Sequence, residues 1–323
     1  MHSYFTLLLL ALGACSASVR PAPTAVRHHA VAHRAGFIEH EGARLHYLDW
    51  AGQGPVMVLY PGYSLTAHAF AEVATSLADT YRVIAITPRG FGESDAPNAS
   101  AYTLATLGSD LRAVLDSLRI PRATLVGHSL GGSVVAGFAL EHSHRVDRLI
   151  LLDAFPYFAE EGGDSIHALN AVETPPFAGD TTYESIAAYL AKYWLVPWRP
   201  ALEADLRAKP LGRESTRREQ LTAGYIEDSK TAPPDVSRLT VPALQLCAEA
   251  TVAAEYPWLP HTSPDFVRAS HFVEQILRPF QRRLCERFAA TVPHGRIQWI
   301  QGSHYVFFTD PALTASAIRE FLK

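Results

Sequence analysis

The chain of 323 residues carries 28 Lys and Arg against 32 Asp and Glu, and 48% of its residues are hydrophobic. It is long enough to bury one large core or two small ones. Because the charge is nearly balanced and the chain has no basic run, the sequence argues against a general nucleic-acid binder, which needs a surplus of Lys and Arg on one face.

The first residues form an apolar run, Tyr4 to Leu12, that is too short to span a bilayer as a helix but suits the core of an export signal. The run ends in Leu12-Gly13-Ala14-Cys15, which resembles the lipobox of bacterial lipoprotein signals, where the cysteine becomes the lipidated first residue. No Lys or Arg precedes the run. We expect a signal over residues 1–15 and a lipid-anchored protein in the periplasm or at the cell surface. A plain cleaved signal or an N-terminal anchor is the alternative.

Residues 16–35 mix Pro, Ala and His without periodicity, which predicts a flexible tether. His28, His29 and His33 are metal-binding residue types, but a mobile tether would rarely preorganise them into a site. We therefore expect no metal there.

Two further cysteines, Cys247 and Cys285, lie far along the chain. They would be able to pair in an oxidising compartment. The sequence does not show whether their Cα atoms come within disulfide range, so free thiols remain equally open.

From Gly36 onward, short apolar or β-branched runs alternate with segments at helical spacing, which is typical of a mainly parallel sheet with helices on both faces. Strands are predicted in 37–50, as a pair turning at Glu41-Gly42, and in 55–62, the segment from Arg82, 123–128, 146–154, 241–249 and 295–302. Helices are predicted in 69–81, 104–120, 129–142, 183–195, 269–292 and 310–323.

The alternation breaks between residues 155 and 236, where no strong strand pattern appears and aromatic side chains accumulate. The segment contains Phe155, Tyr157, Phe158, Phe177, Tyr183, Tyr189, Tyr193, Trp194 and Trp198. Because a long coil would not carry so many aromatic residues, we predict an inserted helical subdomain over 155–236. The remaining core then consists of 36–154 and 237–323.

The segment Gly127-His128-Ser129-Leu130-Gly131 lies directly between a predicted buried strand and a predicted helix. This context is typical of a nucleophile elbow, a turn so sharp that side chains at the flanking glycines would collide with neighbouring backbone. The turn presents the serine hydroxyl at a helix N-terminus, where the helix dipole favours a developing oxyanion. Ser129 is therefore the predicted nucleophile.

With this elbow, the chain from Phe37 to Lys323 resembles the alpha/beta-hydrolase fold family, in particular serine esterases and lipases with a cap. Further similarity lies in the oxyanion-loop segment YPGYS, with Pro61 in place of His, in PRGFGESDAP, with Thr87 in place of Asp, and in GSHYVFFTDP. The resemblance implies an α/β fold with a mostly parallel central sheet flanked by helices. It also implies that the helical insertion after the sixth strand is a cap.

A serine hydroxyl needs a base, and His304 is the leading candidate because it follows the last strand in a Gly-Ser-His turn and preserves the family order Ser, acid, His. Many relatives place the acid after the strand at 241–249, where this chain has Thr251. We favour Asp153, at the end of the preceding core strand. Glu249 is the first alternative, and Glu255, Asp265 or no acid at all stay open.

Backbone N–H groups of Tyr63 and Leu130 are the expected oxyanion donors. The expected activity is a serine hydrolase that cleaves a carboxylic ester or related acyl compound with a hydrophobic group, without cofactor or metal. Ser at position 129 argues against haloalkane dehalogenase or epoxide hydrolase chemistry, where resembling sequences carry Asp. Hydrolysis of lactones, thioesters, amides or carbon–carbon bonds remains open. A non-catalytic binding protein is the alternative outside enzymes.

Overall fold

The computed structural model describes residues 33–98, 101–170, 172–194 and 197–323. The expected signal with Cys15, and His28 and His29 of the expected tether, lie outside the described residues. The tether expectation was too long at its end, because Arg34 and the residue after it already pair in the first strand. Among the described helices, none has the length and apolarity needed to cross a bilayer.

Eight strands form one sheet in the order β1-β2-β4-β3-β5-β6-β7-β8. They are β1 (Arg34–His40), β2 (Ala43–Asp49), β3 (Val56–Tyr60), β4 (Arg82–Ile86), β5 (Ala123–His128), β6 (Val146–Leu152), β7 (Ala243–Glu249) and β8 (Gly295–Gln301). β1 and β2 are antiparallel to each other, and β2 is antiparallel to β4. The other neighbours pair in parallel, as the sequence predicts.

The inner strands are continuous apolar runs because helices cover both faces of the sheet. All six positions of β5 are buried. Leu125 belongs to the apolar core on one face and Val126 to the core on the other, as the alternation of side chains along a strand requires. The carboxyl ends of the parallel strands therefore meet at one edge of a rigid sheet.

The described helices include short elements that the sequence analysis did not predict. The helices are α1 (Ala71–Leu77), α2 (Leu104–Ser117), α3 (Leu130–Glu141), α4 (Gly163–Ala168), α5 (Tyr183–Tyr193), α6 (Pro200–Arg207), α7 (Arg213–Thr231), α8 (Val252–Glu255), α9 (Pro264–Phe272), α10 (Arg278–Thr291), α11 (Val306–Thr309) and α12 (Pro311–Leu322). A 3-10 turn, Ala67–Phe70, precedes α1. A π-helical turn, Val273–Leu277, joins α9 to α10 within the segment predicted as one helix.

Helices α4 to α7 lie between β6 and β7, at the place where the sequence predicts an insertion. A second helical segment, α8 to α10, follows β7. Cys247 in β7 and Cys285 in α10 form a disulfide, which resolves the alternative that the sequence left open.

Candidate active site

Ser129 lies between β5 and α3 with a backbone φ of 51° and ψ of −124°, a strained conformation for a residue other than glycine. The flanking glycines make the turn possible. A Cβ at Gly127 would lie 2.5 Å from the carbonyl oxygen of Gly131. A Cβ at Gly131 would lie 2.4 Å from the carbonyl oxygens of Tyr60 and Pro61. The backbone of this turn thus packs directly on the end of β3, which supports the elbow geometry inferred from the sequence.

Asp153 directly follows β6, and its carboxylate reaches His304 in the turn after β8. His304 Nδ1 lies 2.8 Å from Asp153 Oδ2. The other carboxylate oxygen accepts the Ala248 N–H at 3.0 Å, so both oxygens have partners. Asp153 is only 6% exposed and has a positive φ of 43°, and its own N–H donates to Leu246. This contact leaves Nε2 as the His304 nitrogen available to Ser129, which lines the same cavity.

The other acids that the sequence left open do not make this contact. Glu249 forms an ion pair with Arg282 at 2.6 Å. Asp265 has 47% of its side chain exposed and pairs with Arg268, its neighbour on α9. Glu255 lines the cavity, but within the described part of the chain it makes no hydrogen bond with His304.

The loop after β3 brings its backbone against the elbow. A Cβ at Gly62 would lie 2.9 Å from the Ser129 Cβ, so only glycine allows this approach. Tyr63 follows, and its hydroxyl is hydrogen-bonded to Thr222 of α7 at 3.0 Å. Leu130 begins α3, and the first N–H groups of a helix have no acceptor within the helix. Tyr63 and Leu130 therefore both lie in backbone segments that adjoin the Ser129 turn.

The sequence analysis assigned no role to His128, yet this side chain connects the elbow to the His304 turn. Its Nε2 donates to the His304 carbonyl oxygen at 3.0 Å, and the two rings lie 4.5 Å apart. Burial, reinforced by the nearby His304, lowers the pKa of His128 well below its ordinary value, so the ring is neutral. His128 thus fixes the backbone that carries His304, and its position beside Ser129 was the signal that could have identified it.

A cavity of about 280 Å³ opens at Ser129. Its walls come from the elbow, from the insertion between β6 and β7, and from the segment after β7. The apolar residues of the wall are Leu65, Leu130, Phe155, Pro156, Phe158, Ala159, Leu190, Trp194, Leu202, Leu206, Ile226, Ala254, Phe272, Leu277, Phe280 and Leu284. The contribution of α8 to α10 was not foreseen from the sequence.

Glu255 and Tyr305 are among the titratable side chains that line this cavity. Burial, reinforced by the charge of Asp153, raises the pKa of Glu255 to about 7. Burial, together with Asp205 and Glu255, raises the pKa of Tyr305 to about 12. Tyr305 is therefore uncharged near neutral pH, whereas Glu255 is only partly ionised there; each group has a hydrogen-bond donor in its protonated form.

Asp205 of α6 ties the helical insertion to the loop after β3. Its Oδ1 accepts from the backbone N–H of Thr66 at 2.7 Å and from the Thr66 hydroxyl at 2.8 Å. Its Oδ2 lies 2.5 Å from Nζ of Lys209, which also lines the cavity. Because Asp205 is fully buried, these partners are needed to offset the loss of its hydration.

Comparison with known proteins agrees with this architecture. A family model described as alpha/beta hydrolase fold matches residues 55–194. An uncharacterized protein of Mycobacterium tuberculosis is 41% identical over 104 residues, which cover 32% of this chain and 30% of that protein. The soluble epoxide hydrolase of Corynebacterium sp. (strain C12) is 33% identical over 121 residues, which cover 38% of this chain and 42% of that enzyme. The chain thus matches less than half the length of either relative.

The likeness to solved structures extends over nearly the whole chain. A crystal structure of a probable hydrolytic enzyme from Pseudomonas aeruginosa PAO1 is similar with a TM-score of 0.67 and 21% identity, covering 92% of this chain and 96% of that chain. The sheet order, the elbow between β5 and α3 and the matched family model agree with one another. The chain therefore has the alpha/beta-hydrolase fold, and residues 55–194 match the model of that family.

Proposed function

We propose that this protein is a serine hydrolase that cleaves a carboxylic ester or a related acyl compound through an acyl-enzyme intermediate. The observation that carries the proposal is the contact of Asp153 Oδ2 with His304 Nδ1 in the cavity that Ser129 lines. A histidine held in this tautomer is able to act as base toward a serine hydroxyl.

In the proposed reaction, Ser129 Oγ attacks the substrate carbonyl carbon while His304 Nε2 takes the hydroxyl proton. The N–H groups of Tyr63 and Leu130 stabilise the oxyanion, and Asp153 stabilises the imidazolium. His304 then returns the proton to the leaving group. Water, deprotonated in turn by His304, releases the acyl group. Side chains and backbone N–H groups of this chain supply the nucleophile, the base and the oxyanion donors, so the proposed reaction requires no cofactor or metal.

A serine at position 129 favours acyl transfer over epoxide hydrolysis, the activity for which the Corynebacterium relative is named. A carboxylate that opens an epoxide or displaces a halide forms an ester, which water can then hydrolyse. A serine hydroxyl in the same role would form an ether, which has no carbonyl for water to attack, and the enzyme would be trapped. Ser129 can turn over only where its adduct is an acyl group.

The cavity supports a substrate with a hydrophobic group, because most of its wall is apolar. Lactone, thioester, amide and carbon–carbon bond hydrolysis use the same groups and remain alternatives within this proposal. A non-catalytic binding protein is the alternative outside enzymes, and reactivity of Ser129 distinguishes it.

The test is labelling by a fluorophosphonate, which reacts with activated serines, together with Ser129→Ala. Ser133→Ala is a matched control, since Ser133 also lines the cavity, one helical turn further along α3. We expect Ser129→Ala to abolish labelling and to reduce ester hydrolysis by at least about 10⁴-fold, with Ser133→Ala still labelled. Wild-type protein that neither reacts with the probe nor hydrolyses any acyl ester would favour the binding protein.

A further inference from the structure

A second cluster of titratable side chains lies outside the Ser129 cavity. It is formed by His46 in β2, His68 in the 3-10 turn before α1, and Glu93 in the loop after β4. None of the three lines the cavity. His46 is almost fully buried, His68 has 17% of its side chain exposed and Glu93 has 39% exposed, so the cluster is open to solvent on the Glu93 side.

Two of the three distances within this cluster match the edges of a tetrahedral metal site. His46 Nδ1 lies 3.3 Å from Glu93 Oε2, and His68 Nε2 lies 3.3 Å from the same oxygen. Zinc bonds of about 2.0–2.2 Å place tetrahedral ligand atoms about 3.3–3.5 Å apart. The three ligand atoms all lie within 4.8 Å of one another, so modest rotation of the two more exposed side chains would close the third edge.

The backbone around the cluster is held in place by contacts that do not involve the three side chains. The His46 N–H donates to Ser94 Oγ at 2.9 Å, and that hydroxyl donates to the Thr87 carbonyl at 2.7 Å. Arg89, in the same loop, is buried and forms hydrogen bonds with both carboxylate oxygens of Asp110. A loop fixed at both sides of Glu93 reduces the entropy that ion binding would otherwise cost.

We propose that His46, His68 and Glu93 form a Zn²⁺ site, with water as the fourth ligand on the exposed side. Two imidazoles and one carboxylate are a ligand set that zinc takes in proteins. The site would join β2, the turn after the oxyanion loop and the loop after β4. Because the His68 N–H donates to Thr66 Oγ1 at 3.3 Å, bound zinc would stiffen the turn that follows Tyr63. This role is structural and does not depend on the proposed hydrolysis.

The experiment measures Zn²⁺ binding to the purified full chain without an affinity tag, after removal of metal with a chelator. We expect one equivalent to bind with a Kd on the order of 1 µM or tighter and to raise the Tm. Co²⁺ in the same site should give the absorption spectrum of a tetrahedral complex. Glu93→Gln and His68→Gln should each weaken Zn²⁺ binding by more than about tenfold.

Two controls separate this site from other histidines. His142, which is 31% exposed, and His144 form a pair of neighbouring rings near Glu141, so the double change to Gln removes a comparable group of histidines. A second control changes His28 and His29 to Gln. Both controls should bind Zn²⁺ as the wild type does, and circular dichroism should show that each variant is folded. The proposal is wrong if wild type binds no Zn²⁺, if Glu93→Gln and His68→Gln bind it unchanged, or if either control abolishes binding.

Discussion

Asp153 is the residue on which the proposed mechanism depends most directly after Ser129. Asp153→Asn keeps the shape of the side chain but replaces an acceptor of the His304 Nδ1 proton with an amide, which favours the wrong imidazole tautomer. We expect kcat to fall by about 10³ to 10⁴-fold. Glu249→Gln is the control, because Glu249 pairs with Arg282 and should change kcat little. Equal losses in the two variants would contradict the assignment.

A second prediction concerns Glu255 and the pH dependence of the free energy of unfolding. Its pKa is raised to about 7 in the folded protein, so between its ordinary value and about pH 7 the unfolded chain loses this proton first. Stability contributed by this group therefore falls as pH rises through that window, by on the order of 3 kcal/mol. Glu255→Gln removes the effect and should become more stable than wild type as the pH increases.

Urea unfolding at about pH 5 and about pH 8 measures this difference. The free energy of unfolding of Glu255→Gln, relative to wild type, should be larger at the higher pH. Glu249→Gln, at a carboxylate paired on the surface side of the same region, is the matched control and should show no such trend. A constant difference for Glu255→Gln at both pH values would mean that the carboxyl ionises normally.

At the scale of elements, the cavity is formed where α5, α6 and α7 meet the segment from α8 to α10 above the strand ends. Its apolar wall predicts that kcat/KM rises with acyl chain length, by up to about fourfold for each buried methylene, which corresponds to about 0.8 kcal/mol. A series of esters from acetyl upward measures this. A flat or falling series would contradict the apolar-substrate proposal.

Two tryptophans of the insertion provide a matched pair for the same series. Trp194 and Trp198 both pack against the apolar core on one face of the sheet, but only Trp194 is among the residues that line the cavity. Trp194→Ala should therefore move the preferred acyl length upward because it enlarges the cavity. Trp198→Ala should leave the preference unchanged.

At the scale of the whole molecule, we propose that the protein is exported and anchored through lipid on Cys15. The Cys247–Cys285 disulfide supports an oxidising compartment. The native protein should fractionate with membranes and begin at Cys15, and Cys15→Ser should leave uncleaved precursor or release soluble protein. Native protein in the cytosol with Met1 intact would contradict the proposal.

The sequence alone determined the fold class and the strand-to-helix turn that carries Ser129, the proposed nucleophile, because both depend on local patterns. Short continuous apolar runs such as Val56–Tyr60 are typical of strands that are buried on both faces of a parallel sheet. Gly127 and Gly131 flank Ser129 because no larger residue fits the turn. Chain order and the turn after the last strand also pointed to His304 as the proposed base.

Only the tertiary structure decided between Asp153, Glu249, Glu255 and Asp265, because a carboxylate is selected by the direction it faces in space. Glu249 is adjacent in the chain to Ala248, whose N–H donates to Asp153, so chain position does not distinguish the two carboxylates. In the fold, Glu249 pairs with Arg282 and Asp153 contacts His304. The cavity wall from α8 to α10 and the His46–His68–Glu93 cluster likewise join residues that are distant in the chain. Packing of the whole chain brings such groups together, so no local sequence pattern predicts these contacts.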